Sequence, residues 1–289
     1  MLKKMPELPE VETIRLQLDQ KIKGLKITEV EVLNKKSFIG DFGEVRGVRV
    51  VGVRRRAKIT IIELEGGVYL AIHLKLTGQL IYREKNQRLK TKDQKRGPYE
   101  VGELPNKFTR VIISFDNGGK LYFNDLRIFG WIKVIKDVRE IGEDKLGPEA
   151  NDEVSFSREY FKNILNKTKK PIKLVILDQE KLAGVGNIYA NESLFDAGIL
   201  PTRPSSSLSG EEIRKLRNSI IKILNDAIIH KGSSDNDEAY RQITGEKGTH
   251  QNYLLVYGKS GQRCPACGGS IKRIALGGRG TFYCENCQK

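Results

Sequence analysis

The chain has 289 residues, 38% hydrophobic and 30% charged, which suits one large or two modest domains and reads as globular. No apolar run approaches the roughly 18 residues of a membrane span, and the lysines near the start are followed by no apolar signal core, so the cytoplasm is the expected compartment. A formal charge of +15 favours a polyanionic partner, nucleic acid first.

In chain order, the first segment with a period is Glu7–Lys23. Val11, Ile14, Leu18 and Ile22 recur every three or four residues, and Gly24 can end the helix. Eight short runs rich in Val, Ile and Tyr follow: "KITEVEVL", "VRVVGVRR", "KITIIELE", "VYLAIHLKL", "QLIYRE", "FTRVIISF", "KLYFND" and "GWIKVIK". They alternate in part and are broken by turn signals such as "EGG" and "DNGG", the pattern of a sandwich or barrel. Glu84 to Leu104 is highly charged and has no period, which predicts a mobile loop.

From about Ser155 the period becomes helical. "SREYFKNILNK", "IKLVILDQ", "NIYANESLFDAG" and "SGEEIRKLRNSIIKILNDAIIHKG" are the predicted helices. In the last, Ser209 and Glu212 form a capping box, Ile213, Leu216, Ile220, Leu224 and Ile228 make the stripe, and Gly232 can cap the end. "SSDNDEAYRQITGEKGTHQ" is polar and Gly-containing, a loop able to close over a ligand.

The chain ends in Cys264, Cys267, Cys284 and Cys287, a C-x2-C-x16-C-x2-C array. Each C-x2-C turn aims two thiolates at one point, which reads as a tetrahedral Zn2+ site. The intervening "GGSIKRIALGGRGTFY" predicts a β-hairpin pinned by that metal. Residues 258–289 hold six basic residues and one acid, and Arg279 at the hairpin tip suits a phosphate grip. The order is thus one helix, an all-β block, an all-α block and a zinc hairpin: an α+β multidomain protein divided at 1–150, 151–256 and 257–289.

Several residue choices have ordinary readings. Pro6 followed by acids is a good helix start. Lys58 lies beside three arginines in a solvated basic run, His73 begins as a core histidine on an apolar strand, and Leu76 and Phe129 are ordinary core. Lys167, Lys169, Lys170 and Lys173 read as one basic run.

Six blocks in order change that weighting: "PELPEVET", "HLKLTGQL", "NDLRIFG", "LGPEA", "GVGNIYANESLFDAGILP" and "VYGKSGQRCPACG…GGRGTFYCENCQ". Together they resemble the bacterial formamidopyrimidine-DNA glycosylase family across nearly the whole chain. The resemblance implies an N-terminal β-sandwich carrying the first helix, a helix–two-turn–helix domain and a C-terminal zinc finger. It implies removal of oxidised purines from double-stranded DNA, then strand cleavage by β,δ-elimination, by a monomer with one structural Zn2+ working at the bacterial nucleoid.

The resemblance also assigns roles. Pro6, as a free secondary amine, attacks C1′ of the damaged nucleotide, and Glu7 handles the protons. Lys58 meets phosphate and aids elimination, while Arg279 serves the last elimination step. His73 and Asn187 lie near the lesion phosphate, the latter at a turn ahead of a helix, and Lys173 lies near the lesion. Leu76, Arg127 and Phe129 fill the hole left by base flipping. Glu10 reads as structural and in contact with the loop. An internal Pro6 has an acylated nitrogen, so the expected start is Met5, subsequently removed, with "MLKK" lying outside the working protein. A helix N-terminus also disfavours the protonated amine.

The chain departs from the family at Ile128, where a second Arg is usual, at Phe108, where a His is usual, and at His250, where a Phe precedes Gln in the lesion-capping loop. Two other readings are the sister glycosylase for oxidised pyrimidines, which usually begins "PEGPE" where this chain has Leu8, and a non-catalytic damaged-DNA-binding protein retaining "MLKK".

Overall fold

The computed structural model describes residues 5–85, 101–234 and 239–289. It resolves into two compact units. The first takes the chain as far as Asp144 and again from His230 to Gln251; the second takes Lys145–Ile229 and Asn252–Lys289.

Helix α1 spans Leu8–Ile22 and buries Val11, Ile14, Leu18 and Ile22, the stripe set by the spacing. Nine strands follow: β1 (Ile27–Val32), β2 (Phe38–Ile39), β3 (Val50–Arg56), β4 (Ile59–Leu64), β5 (Val68–His73), β6 (Gly78–Arg83), β7 (Thr109–Phe115), β8 (Lys120–Asp125) and β9 (Trp131–Ile135). They form a four-stranded sheet, β1-β7-β8-β6, and a five-stranded sheet, β2-β9-β5-β4-β3. One buried cluster joins Leu80, Val111 and Phe123 of the first sheet to Ile62, Leu70 and Ile132 of the second, with Ile14 and Leu18 of α1. This is the sandwich the short alternating runs predict. Only β2 had no sequence signal; two residues pairing parallel to β9 are too short for a period.

Both sheets are also covered outside. Ile59, Ile61, Ala71 and Ile135 form one outer cluster, and Ile81, Ile112 and Tyr122 another, against which Val101 and Leu104 pack. That second covering explains why "ITIIEL" and "QLIYR" do not alternate cleanly. It also corrects the expectation for Glu84–Leu104 at its end, where 101–104 packs on the sheet; residues 86–100 lie outside the described residues.

The second unit holds α2 (Arg158–Asn166), α3 (Ile172–Ile176), α4 (Asn187–Ala197) and α5 (Gly210–Ile229), then the hairpin β10 (Lys272–Leu276) and β11 (Arg279–Tyr283). The predicted capping box of α5 is present: Glu212 N–H donates to Ser209 Oγ at 3.2 Å, and Ser209 N–H to Glu212 Oε2 at 2.8 Å. The hairpin turns through Gly277 and Gly278, both at positive φ, as a two-residue turn that matches strand twist requires.

One buried acid organises this unit. Glu192 of α4, 1% exposed, accepts the N–H groups of Leu255, Val256 and Tyr257 at 2.7, 3.0 and 2.7 Å. The neighbouring Asn191 Oδ1 accepts Phe282 N–H at 2.7 Å. Glu192→Ala would strand three backbone donors, and we expect a loss of about 3 kcal/mol. Urea unfolding followed by circular dichroism measures it; a change within error would show that other groups or water satisfy these donors.

Candidate active site

In the first unit the N-terminus of α1 is buried. Pro6 and Glu7 are both inside, and Glu7 is the N-cap. Glu7 and Glu10 form a capping box in which Glu7 N–H donates to Glu10 Oε2 at 2.8 Å. The other Glu10 oxygen accepts Ser233 N–H at 2.8 Å. Glu10 therefore joins the helix start to the segment after α5, as expected of it. The approach is close: a Cβ on Gly232 would lie 2.9 Å from Glu10, and its φ of +74° also favours glycine.

The same segment is tied down farther along. Gln79 Nε2 donates to Ala239 O at 2.6 Å, Tyr82 N–H to Ile243 O at 2.9 Å, and Arg83 Nη1 to Thr244 O at 2.9 Å. Tyr240 and Ile243 join the sandwich core. The flanks of the predicted loop are thus packed structure; residues 235–238 lie outside the described residues. His250, one of the departures, is buried and stacks on His230, with ring centroids 5.4 Å apart.

Lys58 is buried in the two-residue turn between β3 and β4. Ala57 beside it has φ +50°, a left-handed backbone costing a non-glycine residue about 1–2 kcal/mol. Arg55 holds that turn: its Nη1 donates to Ala57 O at 2.9 Å and its Nε to Glu12 Oε2 of α1 at 2.8 Å. Arg54 pairs with Glu63 at 2.8 Å, and Arg56 with Glu143 at 3.5 Å. The three arginines that made Lys58 look like part of a solvated run are instead committed to carboxylates.

His73 ends β5, opposite Ile59 and beside Trp131. Its Nδ1 accepts Lys75 N–H at 3.0 Å, which leaves Nε2 to carry the proton. Burial first, then the charges of Lys75 and Lys58, push its pKa down from 6.5 to about 3. The imidazole is a neutral donor at physiological pH.

The two loops bearing the proposed void-filling side chains share an anchor. Leu76 lies between β5 and β6 in a turn closed by Gly78 N–H to Leu74 O at 2.9 Å; a Cβ on Gly78 would meet that oxygen at 2.5 Å. Arg127 and Phe129 lie between β8 and β9, with the guanidinium 4.5 Å above a Phe129 ring that is 50% exposed. Asp125, fully buried, accepts Arg127 N–H at 3.1 Å, Phe129 N–H at 2.8 Å and Gly130 N–H at 2.7 Å, and also the Thr77 hydroxyl. Ile128 between them has φ +58°, an uncommon conformation for a β-branched residue and worth roughly 1–3 kcal/mol of strain. Phe108, another departure, accepts Asp125 N–H on its carbonyl at 2.9 Å. Sequence reasoning missed Asp125, although "NDLRIFG" contains it; an Asp ahead of a turn is common, and nothing local shows that it also reaches Thr77.

In the second unit, α4 begins at Asn187 after Gly186, with no capping side chain. Gln179 shapes the preceding turn, donating to Leu177 O at 3.0 Å and Val185 O at 2.8 Å and accepting Gly184 N–H at 2.9 Å. Asn187 Nδ2 reaches Gly280 O at 3.1 Å. Lys173 has no exposed surface, and its Nζ donates to Gly280 O at 3.0 Å and Thr281 Oγ1 at 2.8 Å. Lys173, which read as part of a solvated basic run, instead holds the strand that begins at Arg279. Arg279 itself is exposed at the tip. Gly277 packs there so closely that a Cβ would lie 2.6 Å from Leu174 Cδ2.

The four cysteine sulfurs lie within 4.8 Å of one another, with Cys264–Cys287 at 3.7 Å and Cys267–Cys284 at 3.5 Å. A tetrahedron with Zn–S bonds of about 2.3 Å has edges near 3.8 Å, so the set fits one Zn2+. No other group of three or more possible ligands clusters this way among the described residues.

Comparison with known proteins gives this architecture its class. The family model described as Formamidopyrimidine-DNA glycosylase N-terminal domain matches residues 5–132, the corresponding H2TH domain matches 146–238, and the zinc finger found in FPG and IleRS matches 261–289. The formamidopyrimidine-DNA glycosylase of Pelotomaculum thermopropionicum is 37% identical over 298 aligned residues, covering 99% of each chain. That of Heliobacterium modesticaldum is 38% identical, covering 99% of this chain and 100% of its own. The crystal structure of MutM (Fpg) from Thermus thermophilus superposes with a TM-score of 0.84 at 37% identity, covering 98% of both chains. The Lactococcus lactis Fpg bound to DNA containing an abasic site gives 0.84 at 33% identity, covering 98% of this chain and 100% of that one. The chain belongs to the formamidopyrimidine-DNA glycosylase family.

Two expected outcomes follow from the site's geometry. An unfolded chain protonates His73 near pH 6.5 and the folded chain only near 3, so His73 favours folding above pH 6.5 and this contribution is lost as pH falls toward 3. His73→Gln should flatten that part of a melting-temperature profile; an unchanged slope would place the titration elsewhere. Elemental analysis should find one Zn per chain, and Cys284→Ser should lose the metal and weaken binding to lesion DNA by about tenfold or more. Normal binding by that variant would show the finger to be dispensable.

Proposed function

We propose that this chain is a bifunctional repair enzyme that removes oxidised purines, 8-oxoguanine and formamidopyrimidines, from duplex DNA and then cuts the strand. What carries the reading is the position of Pro6, directly ahead of the Glu7–Glu10 capping box, in a chain whose family match begins at residue 5. Lactococcus lactis Fpg, a structural neighbour, has been crystallised with DNA containing Fapy-dG.

Freed of Met5, Pro6 is a secondary amine that attacks C1′. The glycosidic bond breaks, the base leaves with a proton, and O4′ of the opening sugar takes a proton from Glu7. The nitrogen gives up its own hydrogen and becomes an iminium. The iminium acidifies the 2′ hydrogen, whose removal expels the 3′ phosphate; a second elimination expels the 5′ phosphate, and water releases Pro6. Lys58 and neutral His73 serve phosphate on the first unit. Asn187 and Arg279 serve phosphate on the second, with Lys173 acting through the hairpin it holds. Leu76, Arg127 and Phe129 occupy the space of the flipped nucleotide. Zn2+ supplies no reaction chemistry here; Cys264, Cys267, Cys284 and Cys287 would hold it as the pin of the hairpin. The substrate places this work at the bacterial nucleoid.

The test uses two proteins, one beginning at Met5 with Met removal verified by mass and one with an intact, uncleavable "MLKK". The first should nick 8-oxoguanine duplexes and be trapped on them by borohydride; the second should at most bind. Equal nicking by both would mean that Pro6 is not the nucleophile. Preference for an oxidised-pyrimidine duplex would favour the sister activity.

A further inference from the structure

We propose that Asp125 is the positioning residue that locks the Leu76 loop and the Arg127–Phe129 loop into one rigid wedge, a proposal that rests on the base-excision reading above. The observation is the convergence of donors from two separate connections on one carboxylate. Oδ1 takes the Thr77 hydroxyl and Arg127 N–H, and Oδ2 takes Phe129 N–H and Gly130 N–H. An ordinary Asp turn satisfies only an N–H two residues on. Here the carboxylate also reaches four and five residues on, and 48 residues back to Thr77.

The Thr77 hydroxyl completes the link. It donates to Asp125 and accepts Arg127 N–H at 3.0 Å, so it belongs to both loops at once. Asp125 is itself fixed by register, opposite Gly78 on β6, and by its backbone, with its N–H on Phe108 O at 2.9 Å and its C=O accepting Arg110 Nε at 2.8 Å. A fully buried, hydrogen-bonded anchor thus carries an aromatic ring that is half exposed.

Rigidity matters because a wedge must hold its shape while a base pair is opened. An exposed Phe would otherwise fold onto the nearest apolar surface. The left-handed Ile128 makes this chain especially dependent on the anchor, since that backbone is what turns the 127, 129 and 130 N–H groups toward one point. Charge-assisted bonds are stronger than neutral ones, and an amide in place of the carboxylate would present N–H to N–H on one side.

Two variants test the assignment: Asp125→Asn, and Thr77→Val, which keeps the shape but removes the hydroxyl bridge. Each is compared with wild type on a lesion duplex carrying 2-aminopurine opposite the lesion, and on single-stranded DNA with a preformed abasic site, which needs no extrusion. With thermal melting confirming the fold, the fluorescence rise and the duplex nicking rate should both fall by about tenfold or more, while single-strand nicking stays within about twofold. Should Asp125→Asn not fold, Thr77→Val carries the test alone. A wild-type fluorescence rise in the folded variants overturns the proposal, and so does an equal loss on both substrates, which would place the residue in the chemistry. Wild-type protein that nicks neither substrate would instead overturn the excision reading itself.

Discussion

The carboxylate of Glu10 is the constraint on which the first unit turns. One oxygen takes Glu7 N–H and so fixes where the chain enters α1, and with it where Pro6 points. The other takes Ser233 N–H, from a segment more than 200 residues later. A buried carboxylate cannot be left half satisfied without a cost comparable to a large mutational effect. The helix start and the segment after α5 are therefore held together or not at all. Gly232 permits the approach, because any side chain there would collide with Glu10.

The second unit follows the same logic with other groups. Buried polar side chains on α3 and α4 hold the zinc hairpin and its linker: Lys173 to Gly280 and Thr281, Asn191 to Phe282, and Glu192 to residues 255–257. The metal fixes the cysteine end of the hairpin, and these bonds fix the strand leading from Arg279. Arg279 is left exposed on a frame held at both ends. A basic side chain used this way spends its charge on the fold.

Strain and order also coincide. Ala57, Lys75 and Ile128 have left-handed backbones without being glycine, and each lies within two residues of a proposed site residue: Lys58, His73 with Leu76, or Arg127 with Phe129. Such conformations persist only where neighbours over-determine them. The neighbours are visible: Arg55 on Ala57 O, His73 Nδ1 on Lys75 N–H, and Asp125 around Ile128.

Element order and type were legible in the sequence. The α1 stripe, the eight longer strands of the sandwich, the α5 capping box and the paired cysteine turns are all local patterns, each set by periodicity or spacing over a few residues. Ordered motif blocks also pointed to Pro6 and Arg279 as candidates, and the family resemblance they carry added Lys58. What the tertiary structure alone decided is which buried polar group meets which. Asp125 reaches back 48 residues to Thr77, Lys173 reaches 108 forward to Thr281, and Glu10 takes a donor 223 residues away. The physical reason is that a hydrogen bond leaves no periodic trace in the chain. A carboxylate or an ammonium reads as solvent-facing until the fold removes the solvent and supplies the partner.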